Sequence, residues 1–187
     1  MNVFAIAGSL RASSSNVALV QAISELAPSG VTVTAFNALG ELPLFSPDVD
    51  TSEPPPVVAR FREQVTNADA ILICTPEYAY GIPGSLKNAL DWLVSSASLY
   101  KKPVAALSAS PSPRGGDRAL AWLLQTLTAL DANVPESASF PISIIRDEID
   151  VTRLIKTELG KRFSTVFEAL EAASYSSRDI DRIGSTN

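Results

Sequence analysis

Ala70-Ile71-Leu72-Ile73-Cys74, then Thr75-Pro76-Glu77-Tyr78-Ala79-Tyr80-Gly81-Ile82-Pro83-Gly84, then Leu86-Lys87-Asn88-Ala89-Leu90-Asp91-Trp92-Leu93-Val94: these stretches decide the fold. A short apolar run reads as a strand, the Pro/Gly-rich segment as a turn, and the last stretch as a helix. Working outward, the same unit recurs. Residues 3–7 are apolar throughout, as a strand covered on both faces should be. A Gly/Ser-rich turn follows, then residues 16–26 with Val17, Val20 and Ile23 on one helical face. Residues 31–36 read as strand, the Pro-rich residues 37–56 as a long loop, and residues 57–67 as helix. Beyond the quoted stretch come a strand at 104–107, a Ser/Pro/Gly turn and a helix at 118–130. A fifth strand falls somewhere within 133–145, and residues 151–172 form a final helix with Leu154, Phe163, Val166, Phe167 and Leu170 inward. Residues 175–187 are polar and aperiodic and are expected to be a frayed, flexible tail to one domain spanning 1–174.

Five strands alternating with helices predict an α/β fold with a doubly wound five-stranded parallel sheet and helices on both faces. Right-handed crossovers leave 2-1-3-4-5 as the natural strand order. Ligands in such sheets sit beyond the carboxyl ends of the strands at the switch point, which directs attention to the loops after strands one, three and four.

Composition narrows the chemistry. The chain has 187 residues, a formal charge of −5, one cysteine and no histidine. The negative balance argues against nucleic acid or an anionic membrane surface as partner. A single cysteine fits a reducing compartment, and a cytoplasmic location is expected. No apolar run approaches the roughly 20 residues of a membrane helix. Residues 3–7 are too short, and lack the basic flank, for a secretory segment. Without histidine there is no Ser-His-Asp or Cys-His arrangement, and a metal site is not expected. Hard chemistry would then belong to a cofactor.

The first loop reads Gly8-Ser9-Leu10-Arg11-Ala12-Ser13-Ser14-Ser15-Asn16. Free N–H groups at a helix start, hydroxyls and Arg11 suit a phosphate monoester; a serine-rich N-cap is the other reading. It lacks Gly-Lys-Ser/Thr and Gly-x-Gly-x-x-Gly, so it is neither a Walker loop nor a dinucleotide turn. The second loop, residues 75–84, is stiffened by two prolines and two glycines. It suits the edge of a flat ring, or equally a turn whose tyrosines pack on a neighbour. The third reads Ser108-Ala109-Ser110-Pro111-Ser112-Pro113-Arg114-Gly115-Gly116, small enough for close approach to a ligand or simply a surface loop. Glu77 is expected to cap N–H groups in its own turn, Lys101-Lys102 to be a solvated turn, and Trp92 and Trp122 to be core or interface anchors. No catalytic side chain is singled out.

Gly8-Ser9-Leu10-Arg11 with Asn16, and Pro76-Glu77-Tyr78 continuing through Ile82-Pro83-Gly84-Ser85-Leu86-Lys87-Asn88-Ala89-Leu90-Asp91-Trp92, resemble the NAD(P)H-dependent FMN reductase family. That family is flavodoxin-like and includes quinone, chromate and azo-dye reductases. Leu42-Pro43-Leu44-Phe45 and Gly115-Gly116 also resemble it, and the likeness runs through residues 3–135. The resemblance implies that Ser9, Arg11, Ser14 and Asn16 hold the FMN phosphate, with Ser15 helping through its backbone. It implies that Pro76, Glu77, Tyr78 and Ala79 line the isoalloxazine edge, and that Ala109 and Ser110 touch the ring. It further implies NADPH or NADH as co-substrate and a small-molecule electron acceptor. A homodimer or homotetramer is implied too, with helix 86–94 and loop 42–45 at the contact. Two positions depart from the pattern. Ala79 stands where an asparagine is usual, and Ser112 where a glycine is usual. The expected reaction is a hydride relay from NAD(P)H through FMN to a quinone, free flavin, azo compound or metal oxyanion. A flavodoxin-type electron carrier and a flavin-free scaffold on the same fold are the alternatives.

Overall fold

Strands β1 (Asn2–Ala7), β2 (Thr32–Ala35), β3 (Ala70–Thr75), β4 (Val104–Ser110) and β5 (Ser139–Ser143) pair in parallel in the order β2-β1-β3-β4-β5. The computed structural model describes residues 1–11 and 13–184. Central β3 is buried along its whole length, and successive side chains serve opposite faces. Leu72 and Cys74 join one core with helices α1 (Ser15–Glu25) and α6 (Glu158–Gly184), through Leu19, Ile23, Phe163 and Phe167. Ile71 and Ile73 join the other, with α2 (Pro56–Asn67), α3 (Gly84–Asp91) and α4 (Asp117–Ala129), through Phe61, Leu86, Trp92 and Leu123. Two-sided burial is why the strands read as unbroken apolar runs. Each fully buried Leu, Ile or Phe contributes about 1.5–3 kcal/mol.

Four expectations are corrected. Strand β4 runs three residues past 107, because Ser108, Ala109 and Ser110 pair with Pro141, Ile142 and Ser143 of β5. The final helix is split: α5 (Val151–Leu154) stops, and Thr157 restarts the chain by accepting Gly160 N–H on its hydroxyl at 3.2 Å. Helix α6 then continues to Gly184, so most of the expected tail is helical; Ser174 helps by donating to the Leu170 carbonyl at 2.8 Å and sitting 3.3 Å from that of Asp69. Once nucleated by packing, a helix propagates through polar residues at little cost. Residues 185–187 lie outside the described residues. Lys102 is no solvated turn: its ammonium donates to the carbonyls of Val65, Thr66 and Ala68 at 2.7–2.9 Å and caps the end of α2.

The long loop after β2 has one helical turn, Leu39–Glu41, and is otherwise held by other elements. The carbonyl of Pro43 accepts from Asn88 Nδ2 at 2.9 Å and Trp92 Nε1 at 2.8 Å. Farther along, Asp50 accepts from Ser95 Oγ at 2.6 Å and Arg62 Nη2 at 2.8 Å, while Arg62 Nε donates to the Trp92 carbonyl at 2.7 Å. The Ser95 hydroxyl, then the Arg62 guanidinium, hold the Asp50 carboxyl below its ordinary value of 3.8, against the opposing pull of burial. A depressed carboxyl lends stability that is present above its unfolded pKa and lost as pH falls through the folded one. Asp50→Asn should therefore flatten the loss of Tm below about pH 4, and an unchanged Tm–pH profile would separate Asp50 from acid stability.

Candidate functional site

The loops after β1, β3 and β4 meet at the carboxyl ends of those strands. Gly8 N–H donates to the Cys74 carbonyl at 2.8 Å, so the first loop leaves β1 alongside β3. The Ser9 hydroxyl lies 3.4 Å from the Tyr78 hydroxyl and accepts Arg11 N–H at 3.3 Å, which joins the first loop to the second. Ser14 is the N-cap of α1 and accepts the N–H groups of Asn16 and Val17 at 3.1 and 3.4 Å. Its two acceptor positions are used, leaving its O–H as a donor. Among the described residues, the N–H groups of Ser13 and Ser15 also have no acceptor. No acidic residue lies in the first turn of α1, and Arg11 is exposed and in no ion pair with a described residue.

Asn16 turns inward. It is 3% exposed, its Nδ2 donates to the Ala109 carbonyl at 3.2 Å, and its Oδ1 accepts the Cys74 thiol at 3.1 Å. What it gives the first loop is position against β3 and β4. Burial pushes the Cys74 thiol up, so it stays protonated and donates. Ala109 is buried, and Ser110 sits at the end of β4 where its carbonyl accepts Ile144 N–H and its hydroxyl accepts Ser112 N–H, both at 3.0 Å. Ser112 is not among the residues of positive φ, so the departure there carries no left-handed strain. The left-handed positions of the third loop belong to Gly115 and Gly116, at φ 61° and 83°.

In the second loop Pro76 is buried, and Glu77 does not cap its own turn. Its Oε2 accepts the N–H groups of Arg118 and Ala119 at 3.1 Å, so it caps α4 and locks the second loop to the end of the third. A carboxylate at that position is favoured by the helix dipole. Tyr78 and Gly81 exchange two backbone bonds of 2.9 and 3.0 Å around Ala79 and Tyr80, whose φ values are 48° and 65°. Two left-handed residues in a row mark a type I′ turn, which favours Asn and Gly. Tyr78 and Tyr80 are 50% and 65% exposed, and the Arg118 guanidinium lies 4.1 Å from the Tyr80 ring centroid.

The model of the family described as NADPH-dependent FMN reductase matches residues 1–147. The chain belongs to that family. An NAD(P)H-dependent FMN reductase of Pseudomonas aeruginosa is 37% identical over 174 residues, covering 91% of this chain and 94% of that one. A quinone reductase of Escherichia coli K12 is 36% identical over 153 residues, covering 80% and 81%. Among solved structures, the flavoenzyme NAD(P)H:(acceptor) oxidoreductase FerB from Paracoccus denitrificans superposes with a TM-score of 0.82 at 25% identity, covering 92% and 98%.

Membership makes the chain an oxidoreductase with FMN as cofactor and NAD(P)H as co-substrate. The first loop fits the phosphate of FMN by the chemistry of its donors. The Ser14 hydroxyl, the Ser13 and Ser15 N–H groups and Arg11 are all donors, with no carboxylate in the first turn of α1 to oppose an anion. A cavity of about 400 Å³ opens on the other flank of this loop, lined by Leu10, Arg11, Val17, Gln21, Phe36 and Glu41 among others, and by nothing from the second or third loops. It does not bring the three loops together; the Ser9–Tyr78, Asn16–Ala109 and Glu77–α4 contacts do.

Three features of this reductase escaped the sequence reading. The partner of Glu77 lies 41 residues away, Asn16 faces the core, and Arg146 donates Nη1 to the Ser14 carbonyl at 3.1 Å. Arg146 carries no motif signal, since it sits in a polar turn after β5. The asparagine that the resemblance implies at position 79 would suit the backbone there, because asparagine tolerates the left-handed conformation that alanine resists. Ala79→Asn should raise the stability of the protein by about 1 kcal/mol, read as a higher urea midpoint. No gain would mean that the turn relaxes without strain.

Proposed function

We propose that this chain passes hydride from NADH or NADPH to a small-molecule acceptor, with quinones the first class and free flavins the second. The observation that carries this reading is the first loop, rich in open donors and free of carboxylates, tied through Ser9 and Tyr78 to the second loop, at the carboxyl ends of β1 and β3. Relatives named as quinone and FMN reductases support the acceptor classes. FMN, when bound, supplies a ring that takes up a hydride and hands it on.

The protein binds and orients. Ser14, Ser15 and Arg11 hold the phosphate, Ser9 sets the Tyr78 hydroxyl, and Asn16 anchors the loop to β4 through Ala109. Pro76, Glu77, Tyr78 and Ala79 line the ring edge, with Ala109 and Ser110 on the β4 side. Glu77 is engaged at the α4 N-terminus and serves as a brace between loops rather than as an acid or base. Orientation of two reactants against one ring is the main contribution a protein makes to such a transfer. We place the enzyme in the cytoplasm, as one cysteine suits a reducing compartment. No helix among the described residues is long and apolar enough to cross a membrane. We also read it as a homodimer or homotetramer, with Leu44, 85% exposed on the loop fastened to α3, at the contact.

A visible absorption spectrum before and after anaerobic NADPH or NADH tests the reading. Flavin bands that bleach, followed by steady NAD(P)H oxidation with a quinone, are the expected result. Bands that persist would favour a flavodoxin-type carrier fed by a protein donor. A protein that stays colourless after FMN is added would overturn the flavin reading altogether.

A further inference from the structure

We propose that Arg146 is a second guanidinium of the cofactor phosphate site and that it makes the protein select FMN over unphosphorylated riboflavin. The proposal rests on the reading of the first loop as the phosphate site. Arg146 reaches that loop from the far edge of the sheet. It follows β5, 132 residues along the chain from Ser14, and its Nη1 donates to the Ser14 carbonyl at 3.1 Å. That carbonyl also accepts Ala18 N–H at 3.1 Å, so the guanidinium is seated beside the first turn of α1.

The seat is a built one. The turn that carries Arg146 is closed by Glu148, whose Oε2 accepts Ile145 N–H at 3.0 Å and whose N–H donates to the Ile145 carbonyl at 3.1 Å. Just before it, Ile144 N–H donates to the Ser110 carbonyl at 3.0 Å. Residues 144–146 therefore touch both the third loop and the first, and fix the guanidinium relative to each. A guanidinium has five N–H donors, and one contact to a carbonyl leaves most of them open. Among the described residues Arg146 is in no ion pair, although the chain carries 20 carboxylate side chains against 15 Lys and Arg. Arg11, on the same loop, is likewise unpaired among the described residues. Asp147 and Glu148 share the turn of Arg146, and Glu148 spends one carboxylate oxygen on Ile145 N–H. Neither guanidinium is in an ion pair with a described residue, and no acidic residue lies in the first turn of α1, so both guanidinium groups keep donors for an anion there. A phosphate dianion takes up those donors, and riboflavin, which has no phosphate, does not.

The test is titration of the FMN-depleted protein with FMN and, separately, riboflavin, followed by flavin fluorescence at low and moderate salt. Arg146→Ala should weaken FMN by about tenfold to a hundredfold, the range for one charge-assisted contact, and leave riboflavin unchanged. It should also lower the salt dependence of FMN binding, and Arg146→Lys should restore part of the affinity. The thermal midpoint of the flavin-free variant should match that of the parent, since the side chain is exposed. Equal weakening of FMN and riboflavin would overturn the proposal and make Arg146 a brace for the Ser14 carbonyl. No change in FMN affinity, with Arg11→Ala still weakening it, would overturn the proposal and leave the phosphate site standing. No effect from either variant would overturn both.

Discussion

Gly115→Ala is expected to cost about 3 kcal/mol or more. A Cβ built on Gly115 lies 2.6 Å from the backbone N and C of Ile142 and 2.8 Å from the N of Ser143. Those are main-chain atoms of a strand and cannot swing aside as the end of a side chain can. The conformation adds to the clash, since φ is 61° and a left-handed alanine costs roughly 1–2 kcal/mol by itself. Relief requires β5 to move from β4, or the third loop to move from β5. Either shift would disturb the Ile144 and Ser110 contact that holds the site. At about 2–4 °C per kcal/mol for a chain of this size, the Tm should fall by roughly 6 °C or more. Gly30→Ala provides the control, for Gly30 has φ 86° and no atom within 4 Å of an added Cβ, so only the conformational term applies. Equal losses for the two variants, measured by urea unfolding, would show that the close approach at Ile142 relaxes freely.

Arg11→Ala should weaken FMN binding by about tenfold to a hundredfold while leaving riboflavin affinity and the stability of the flavin-free protein unchanged. The side chain is exposed and makes no ion pair with a described residue, so its loss should not unfold the loop. Its backbone N–H, which stays in the variant, is what engages Ser9 at 3.3 Å. Function and folding are thus separable at this position, and isothermal titration with FMN reads only the first. Unaltered FMN affinity would remove Arg11 from the phosphate site. A fall in Tm of the flavin-free variant would instead give Arg11 a structural role, through the cavity that it lines with Phe36 and Glu41.

Much of this was legible in residue order. Residues 3–7, 70–74 and 104–107 are short apolar runs because both faces of the sheet are covered, and their alternation with helical periodicity led to the order 2-1-3-4-5. β5 resisted placement for the converse reason. It is an edge strand reading Ser139-Phe140-Pro141-Ile142-Ser143, with a proline tolerated only because one side of the ladder is open. The C-terminal boundary of α6 has no local signal, because apolar periodicity ends before the helix does.

By itself the sequence determined the layered fold, the three loops that meet at the carboxyl ends of β1, β3 and β4, and the family to which the chain belongs, since each is written in local spacing and short motifs. Only the tertiary structure decided what the polar side chains do there. Asn16 bonds to Ala109 at a separation of 93 residues, Glu77 to α4 at 41, and Arg146 to Ser14 at 132. Hydrogen bonds are satisfied by whatever donor or acceptor the crossovers bring within about 3 Å. Which groups those are is set by the register of strands far apart in the chain, and no local pattern records it.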